Sequence, residues 1–318
     1  MVTAGIVPIP VKEYFRILGL GKAVFRADQF DGLCYVRSIE NPDGQSFHPT
    51  PKRDDHPAMQ ELLRTAETAA RQAGAYILHA MSGLRQVDYK GRVDLVTNVD
   101  RGSEAIILDC IRRAYPDHAI LAEETGANQQ HSDWRWIIDP IDGTTNFVHG
   151  YPFFCVSIAV QFQRQTVAAV VLDPVHDEMF SALHGQGAFL NGAPLRVSPT
   201  AELGKALLAT GFPYEMGDRW HRSMDYFKLF YYRTRGVRRD GAAALDLCYV
   251  AAGRFDGFWE YDLKPWDVAA GMLLVTEAGG RVSDYRGNPG SIDAGQLLAS
   301  NGAIHDAMLE VLNTLPTL

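Results

Sequence analysis

Apolar residues first fall into helical register near residue 58. Met59, Leu62, Leu63, Ala66, Ala69, Ala70, Ala73 and Ile77 recur at three- and four-residue spacing. That pattern predicts one long amphipathic helix ending near Gly83. After a Lys90-Gly91-Arg92 surface loop, Ile106, Ile107, Cys110, Ile111 and Ala114 repeat it, so a second helix is expected over 103–115, closed by Pro116-Asp117. Asp94 or Thr97 is placed to cap that helix. The pattern then shortens to apolar runs typical of strands, at 119–122, 156–162, 166–171, 179–182 and 188–190, with Asn191-Gly192 marking a tight turn.

Beyond a boundary placed near 195–200, strands alternate with helices. Strands are expected at 206–210, 254–259, 281–283 and 297–300. Helices are expected within 219–232, at 242–251 and 266–278, and from Ala303 onward. This alternation implies an α/β layer, following a first half of helices and a largely antiparallel sheet. The reading is therefore three segments: an extension over 1–56, an α+β half over 57–197 and an α/β half over 198–318. The extension holds short apolar pieces at 6–10 and a polar, proline-rich run ending at Pro57. It is read as a loosely packed arm without a motif, with Met59 as an alternative start.

Composition narrows the function classes. With 318 residues the chain has room for two domains, and 47% hydrophobic with 21% charged residues suits a globular enzyme. A net charge of -8 argues against a general nucleic-acid surface. Cys34, Cys110, Cys155 and Cys248 are scattered without a C-x-x-C pair, the spacing of free thiols in a reducing compartment. No apolar run is long enough for a bilayer, and Lys12, Glu13 and Arg16 break up the only segment placed to be a signal peptide. A cytoplasmic protein with no membrane partner is expected.

The chemistry centres on Trp136-Ile137-Ile138-Asp139-Pro140-Ile141-Asp142-Gly143-Thr144-Thr145-Asn146-Phe147. Trp-Ile-Ile reads as a buried strand that ends in a carboxylate, because Pro140 cannot continue the ladder. One turn brings Asp142 to the same point as Asp139. Gly143-Thr144 opens a helix, where free N–H groups gather and anions bind. Carboxylates beside such amides repel a bare phosphate, but a hard divalent cation such as Mg²⁺ reconciles them. Glu123-Glu124 ends a second apolar run in the same way. Asp267, at a helix start after Pro265-Trp266, reads equally as a helix-dipole partner. No Cys or Ser stands beside a base as a covalent nucleophile, and His149 reads as a loop residue.

These motifs together resemble the inositol monophosphatase family: Asp94-Leu95-Val96-Thr97-x-x-Asp100, Glu123-Glu124, the stretch from Trp136 to Phe147, Gly185-x-Gly187-Ala188-Phe189-x-Asn191-Gly192, Trp266-Asp267-x-Ala269-x-Gly271 and Glu277-Ala278-Gly279-Gly280. The resemblance covers residue 58 to the C-terminus. It implies a layered αβαβα sandwich of the inositol monophosphatase/fructose-1,6-bisphosphatase type and Mg²⁺-dependent hydrolysis of a small phosphate monoester, with two or three ions per site. Glu123, Asp139 and the Ile141 carbonyl would hold one ion. Asp139, Asp142 and Asp267 would hold another. Asp100 and Thr144, with Glu123, would orient and deprotonate the attacking water. The amides of Gly143 and Thr144 would hold phosphate oxygens, and Ala243 and Glu260 would line the substrate. Thr145-Asn146-Phe147 resembles the branch acting on inositol 1-phosphate. Asp240-Gly241-Ala242 departs from the small residues usual there, which keeps histidinol phosphate open, as well as sugar bisphosphates. A homodimer and inhibition by lithium are implied too.

Overall fold

The computed structural model describes residues 24–30, 33–40, 46–47, 56–81, 87–89 and 95–315. The chain divides into two compact units, Met1–Pro57 and Ala58–Leu318. The first holds an antiparallel sheet of β1 (Val24–Phe30), β2 (Leu33–Glu40) and β3 (Ser46–Phe47), in that order. The sequence reading assigned no element there, although Asp31-Gly32 between β1 and β2 is a strong hairpin signal.

The second unit is stacked in five layers. The first is helical: α1 (His56–Met81) and α2 (Asn98–Ala114). The next is an eight-stranded sheet of β6 (Ala119–Ala122), β7 (Gly126–Ala127), β8 (Trp134–Asp142), β9 (Cys155–Phe162), β10 (Gln165–Asp173), β11 (Glu178–Leu183), β12 (Ala188–Leu190) and β13 (Ala193–Pro194). Its order is β13-β12-β11-β10-β9-β8-β6-β7. Only β6 and β8 run parallel in it. A short ribbon of β4 (Val87–Tyr89) and β5 (Leu95–Thr97) stands apart, and α3 (Thr144–His149) follows β8.

The middle layer is α5 (Ala243–Ala251) and α6 (Pro265–Glu277). A five-stranded sheet follows, ordered β15 (Gly236–Arg238), β14 (Leu207–Thr210), β16 (Gly257–Tyr261), β18 (Gln296–Ser300) and β17 (Arg281–Ser283). Its far face carries α4 (Asp218–Arg233) and α7 (His305–Leu312). The αβαβα sandwich is thus the observed architecture. Among the described residues no helix is long and apolar enough to cross a membrane.

The strand period of two explains the layering. Trp136 and Ile138 of β8 point into the core with the α1 stripe of Met59, Leu62, Ala66, Ala69, Ala73 and Ile77. Ile137, between them, points into the opposite core with Leu247 and Leu274 of the middle helices. In the second sheet Phe258 joins that middle core, while Trp259 packs with Phe230 and Met308 of the outer helices. Both faces of each sheet are covered, so the central strands read as continuous apolar runs rather than alternating ones.

Several boundaries differ from expectation. Helix α2 begins at Asn98 rather than Ser103, because Thr97 and Asp100 form a capping box. Asp94 and Lys90 lie outside the described residues. Strand β8 does not stop at Asp139 but runs on to Asp142. Asp139 pairs with Ser157 and Asp142 with Cys155, so Pro140 and Ile141 stand opposite Val156 alone. The bulge accommodates the missing Pro140 donor, and the ladder then resumes. Strand β16 starts at Gly257 rather than Arg254, since residues 252–256 form the turn that ends α5. Cys155 and Cys248 are buried free thiols, and Cys110 is half-buried.

The middle helices touch at Gly271. A Cβ there would lie 2.5 Å from Leu247 Cδ1 and 2.6 Å from its Cβ. Alanine gains up to about 1 kcal/mol in helix propensity but overpacks a closed layer, a cost of about 1–3 kcal/mol. Gly271→Ala is therefore expected to lower stability by roughly 1 kcal/mol, read as a lower urea midpoint at unchanged slope. An equal or higher midpoint would refute the close packing.

His305 is fully buried, with one ring nitrogen 2.8 Å from Ser283 Oγ and the other 2.8 Å from Ser300 Oγ. Burial, aided by Arg281, pushes its pKa down from 6.5 to about 4. The unfolded chain thus takes up the proton first. The stability due to neutral His305 is complete above pH 6.5 and erodes as pH falls toward 4. Between pH 7 and pH 4.5 wild type should lose roughly 2–3 kcal/mol relative to His305→Gln, measured by denaturant unfolding at both values. A pH-independent gap would show that His305 is not linked to folding.

Candidate active site

The end of β8 delivers two carboxylates into one cavity. Asp139 is 3% and Asp142 9% exposed, so neither is solvated as a surface acid would be. Each is held by amides. Ile141 N donates to Asp139 Oδ1 (3.1 Å), and Ala244 N donates to Asp142 Oδ2 (2.6 Å). The second bond crosses from the first turn of α5, so it ties the middle helical layer to the first sheet. Gly143 follows in the left-handed region (φ 94°), where a Cβ would also sit 3.0 Å from Phe153 O. Glycine alone turns the chain there without strain.

The cavity has a volume of about 260 Å³. It gathers the expected Glu123, Asp139, Ile141, Asp142, Gly143, Thr144, Ala243, Glu260 and Asp267. Glu123 comes from the end of β6, its amide donating to Ile138 O (3.1 Å) of β8. Asp267 enters from the first turn of α6. One of its oxygens accepts from Lys264 N (2.7 Å), so it caps the helix while also lining the cavity. Asp100, fully buried on α2, accepts the Thr144 hydroxyl at 2.8 Å; Ile141 O lies 3.0 Å from the same hydroxyl. Asp100 Oδ2 accepts Thr97 N at 2.8 Å. Asp100 thus stands directly behind the cavity wall.

Electrostatics follow from crowding like charges out of water. Burial, then Glu123, Asp142 and Asp267, push the Asp139 carboxyl well above the usual range, and the Glu123 side chain is hydrogen-bonded to it. Burial raises Asp142 to about 7 even though the Ala244 and Ala243 amides oppose the shift. Burial and then Asp142 raise Asp267. The cations on the cavity wall are Arg239 and Lys264. Such a set is short of positive charge, and all its donors are hard oxygens, the chemistry that suits Mg²⁺. Among the described residues no three or more His, Cys, Asp or Glu side chains are already drawn into closed metal-site geometry. The fit to a cation therefore rests on charge and donor type.

Some residues were not anticipated. Asp246 lies 1% exposed on the cavity wall, and its Oδ1 meets no hydrogen-bond partner. It reads as one polar residue inside an apolar helix, so only the position of α5 reveals it. Gly211 is packed flat against Glu260: a Cβ there would lie 2.1 Å from the carboxylate. Asp240, singled out for its departure from the family pattern, does not line the cavity. Its carbonyl instead accepts Asn146 Nδ2 at 2.7 Å. His149 is exposed at the end of α3, away from the cavity.

Known proteins share this architecture. A 47% identical relative over 261 residues, covering 80% of this chain and 96% of its own length, is the Nus factor SuhB of Pseudomonas aeruginosa. An inositol-1-monophosphatase of Synechocystis is 46% identical over 260 residues, covering 81% of this chain and 91% of its own. The structure of an inositol monophosphatase from Anabaena (Nostoc) superposes with a TM-score of 0.74 at 43% identity, covering 82% of this chain and 98% of that one. The sequence model of the inositol monophosphatase family matches residues 58–316, and the chain belongs to that family.

Proposed function

We propose that the chain is a Mg²⁺-dependent phosphatase of small phosphate monoesters, with inositol 1-phosphate as its first substrate. One observation carries the reading. Carboxylates from three separate segments, Glu123, Asp139 with Asp142, and Asp267, converge on a single cavity whose wall includes Thr144, bonded to Asp100. The relative named inositol-1-monophosphatase supports the substrate.

In this reading Glu123, Asp139 and the Ile141 carbonyl would hold one ion, and Asp139, Asp142 and Asp267 would hold a second. Bound Mg²⁺ supplies Lewis-acid stabilisation of phosphoryl charge and a more acidic water. The chain's own residues do the rest. The Thr144 hydroxyl donates to Asp100, so its oxygen is free to accept a proton from the attacking water. As that proton arrives, Asp100 takes the hydroxyl proton, and Glu123 helps orient the water. The backbone of Gly143 and Thr144 lines the cavity where phosphate oxygens would sit. At the other end Glu260 and the backbone of Ala243 meet substrate hydroxyls. Phosphoryl transfer asks for this division of labour, being mostly positioning and charge stabilisation.

Histidinol phosphate and sugar bisphosphates compete as substrates on the same chemistry. Asp240 lies between Arg239 and Gly241 of the cavity wall and its charge reaches Asp246 there, so the histidinol phosphate alternative stands. A second reading, a regulatory role without catalysis, is favoured by the Nus factor naming of a close relative. The presence together of Asp100, Thr144, Glu123, Asp139, Asp142 and Asp267 favours catalysis over it.

Phosphate release from inositol 1-phosphate and histidinol phosphate, measured in parallel with Mg²⁺ and with EDTA, tests the proposal. Mg²⁺-dependent release that favours inositol 1-phosphate is expected, with none in EDTA. Release from neither substrate would move the assay to sugar bisphosphates and nucleotides, and release from none of these would favour the regulatory reading. Asp139→Asn should lower activity by more than about tenfold, because even residues that merely orient metal ligands cost that much when changed. Activity within about tenfold of wild type would refute the shared-ligand role.

A further inference from the structure

Residues 100, 103 and 104 of α2 stand at i, i+3 and i+4, the spacing that places side chains on one helix face. All three are polar, and they are 0%, 0% and 1% exposed. Polar groups inside a core are costly unless each finds a partner. Here each grips a different segment around the cavity. Asp100 takes the Thr144 hydroxyl, and Ser103 Oγ donates to Pro140 O (2.9 Å). Glu104 Oε2 accepts Glu124 N (2.8 Å), and Glu104 Oε1 accepts Thr125 N (3.0 Å).

The last pair bears on Glu123. Glu123 N is tied to Ile138 O of β8, and the next two amides are tied to Glu104. The backbone is therefore fixed on both sides of the residue. The Glu123 side chain is hydrogen-bonded to Asp139, with Asp142 close by, and once these carboxyls are all ionised like charges push them apart. A turn held only by water could yield to that push. Charge-assisted bonds to backbone amides are stronger than neutral ones, and a carboxylate can serve two donors at once where a glutamine offers one acceptor. Glu104 does not line the cavity itself.

We propose that Glu104 is a positioning residue that holds Glu123 in place against its acidic neighbours and thereby sets the affinity of the cavity for a divalent cation. The inference rests on the reading of Glu123 as a metal ligand. Residues behind metal ligands typically change affinity by 10- to 100-fold.

The test is Glu104→Gln, which keeps the volume but turns an amide N–H toward an amide N–H. Calorimetric titration of the full-length protein with Mg²⁺ should show affinity reduced roughly 10- to 100-fold. KM for inositol 1-phosphate at saturating Mg²⁺ should stay within about threefold of wild type. Hydrogen exchange should quicken at residues 123–126 and not in β9 or β10. Glu104→Asp keeps both acceptor oxygens on a shorter arm and should recover part of the affinity. It carries the same readouts if the glutamine variant fails to fold. Mg²⁺ affinity within about twofold of wild type, with exchange raised, would reduce Glu104 to a structural role and overturn the proposal. Wild-type protein that takes up no Mg²⁺ would overturn the ligand reading of Glu123 and this inference with it, a result distinct from equal binding by both proteins.

Discussion

Carboxylates crowded out of water repel one another, and the arrangement around this cavity answers that repulsion. Asp139 and Asp142 leave the end of one strand, Glu123 the end of its parallel neighbour, and Asp267 the start of a helix in the next layer. Nothing local would keep them together. Amides do so instead: Ile141 and Ala244 on the β8 pair, Lys264 on Asp267, and Glu124 and Thr125 on the Glu104 that backs Glu123. Backbone donors suit this task because they are rigid, lack a competing charge of their own and are supplied wherever a helix begins.

The layered sandwich makes such a supply possible. Helices α5 and α6 are covered by a sheet on either side, so their first turns open toward the seam between the sheets. Their N-terminal amides reach Asp142 and Asp267 there. Small residues allow the close approach: Ala243, Ala244, Ala269, Ala270 and Gly271 are all buried or nearly so in that middle core. A middle layer of large side chains would hold the sheets farther apart and lose the Asp142–Ala244 bond. Packing and site geometry are thus one constraint rather than two.

Much of this was legible in the sequence because it is local. The α1 stripe, the apolar run ending in Asp139, the glycine after Asp142 and the proline before Trp266 each announce their element within a few residues. Glu123, Asp139, Asp142 and Asp267, which gather at the cavity, were likewise picked out from their motifs. What stayed hidden depends on partners far along the chain. Ser103 read as a helix start, yet it lies inside α2 and serves Pro140, 37 positions away. Glu104 looked like any acid on an amphipathic helix, and its partners are 20 and 21 positions on. Asp246 and Gly211 acquire meaning only from the sheet and helix that meet around them. The strand end at Asp142 was misplaced for a different reason: proline forbids a single hydrogen bond, and a bulge is enough to absorb that.

The Ala244–Asp142 hydrogen bond joins residues 102 positions apart. During synthesis, therefore, the first sheet can be complete while Asp142 still lacks its amide. At roughly 5–20 residues per second, translation takes about 5–20 s to cover that distance. The sheet itself is complete only with Pro194, so for about the second half of that interval its strand end carries Asp142 without the amide that holds it. Truncation anywhere between the two sheets would leave a folded-looking half with no working pocket.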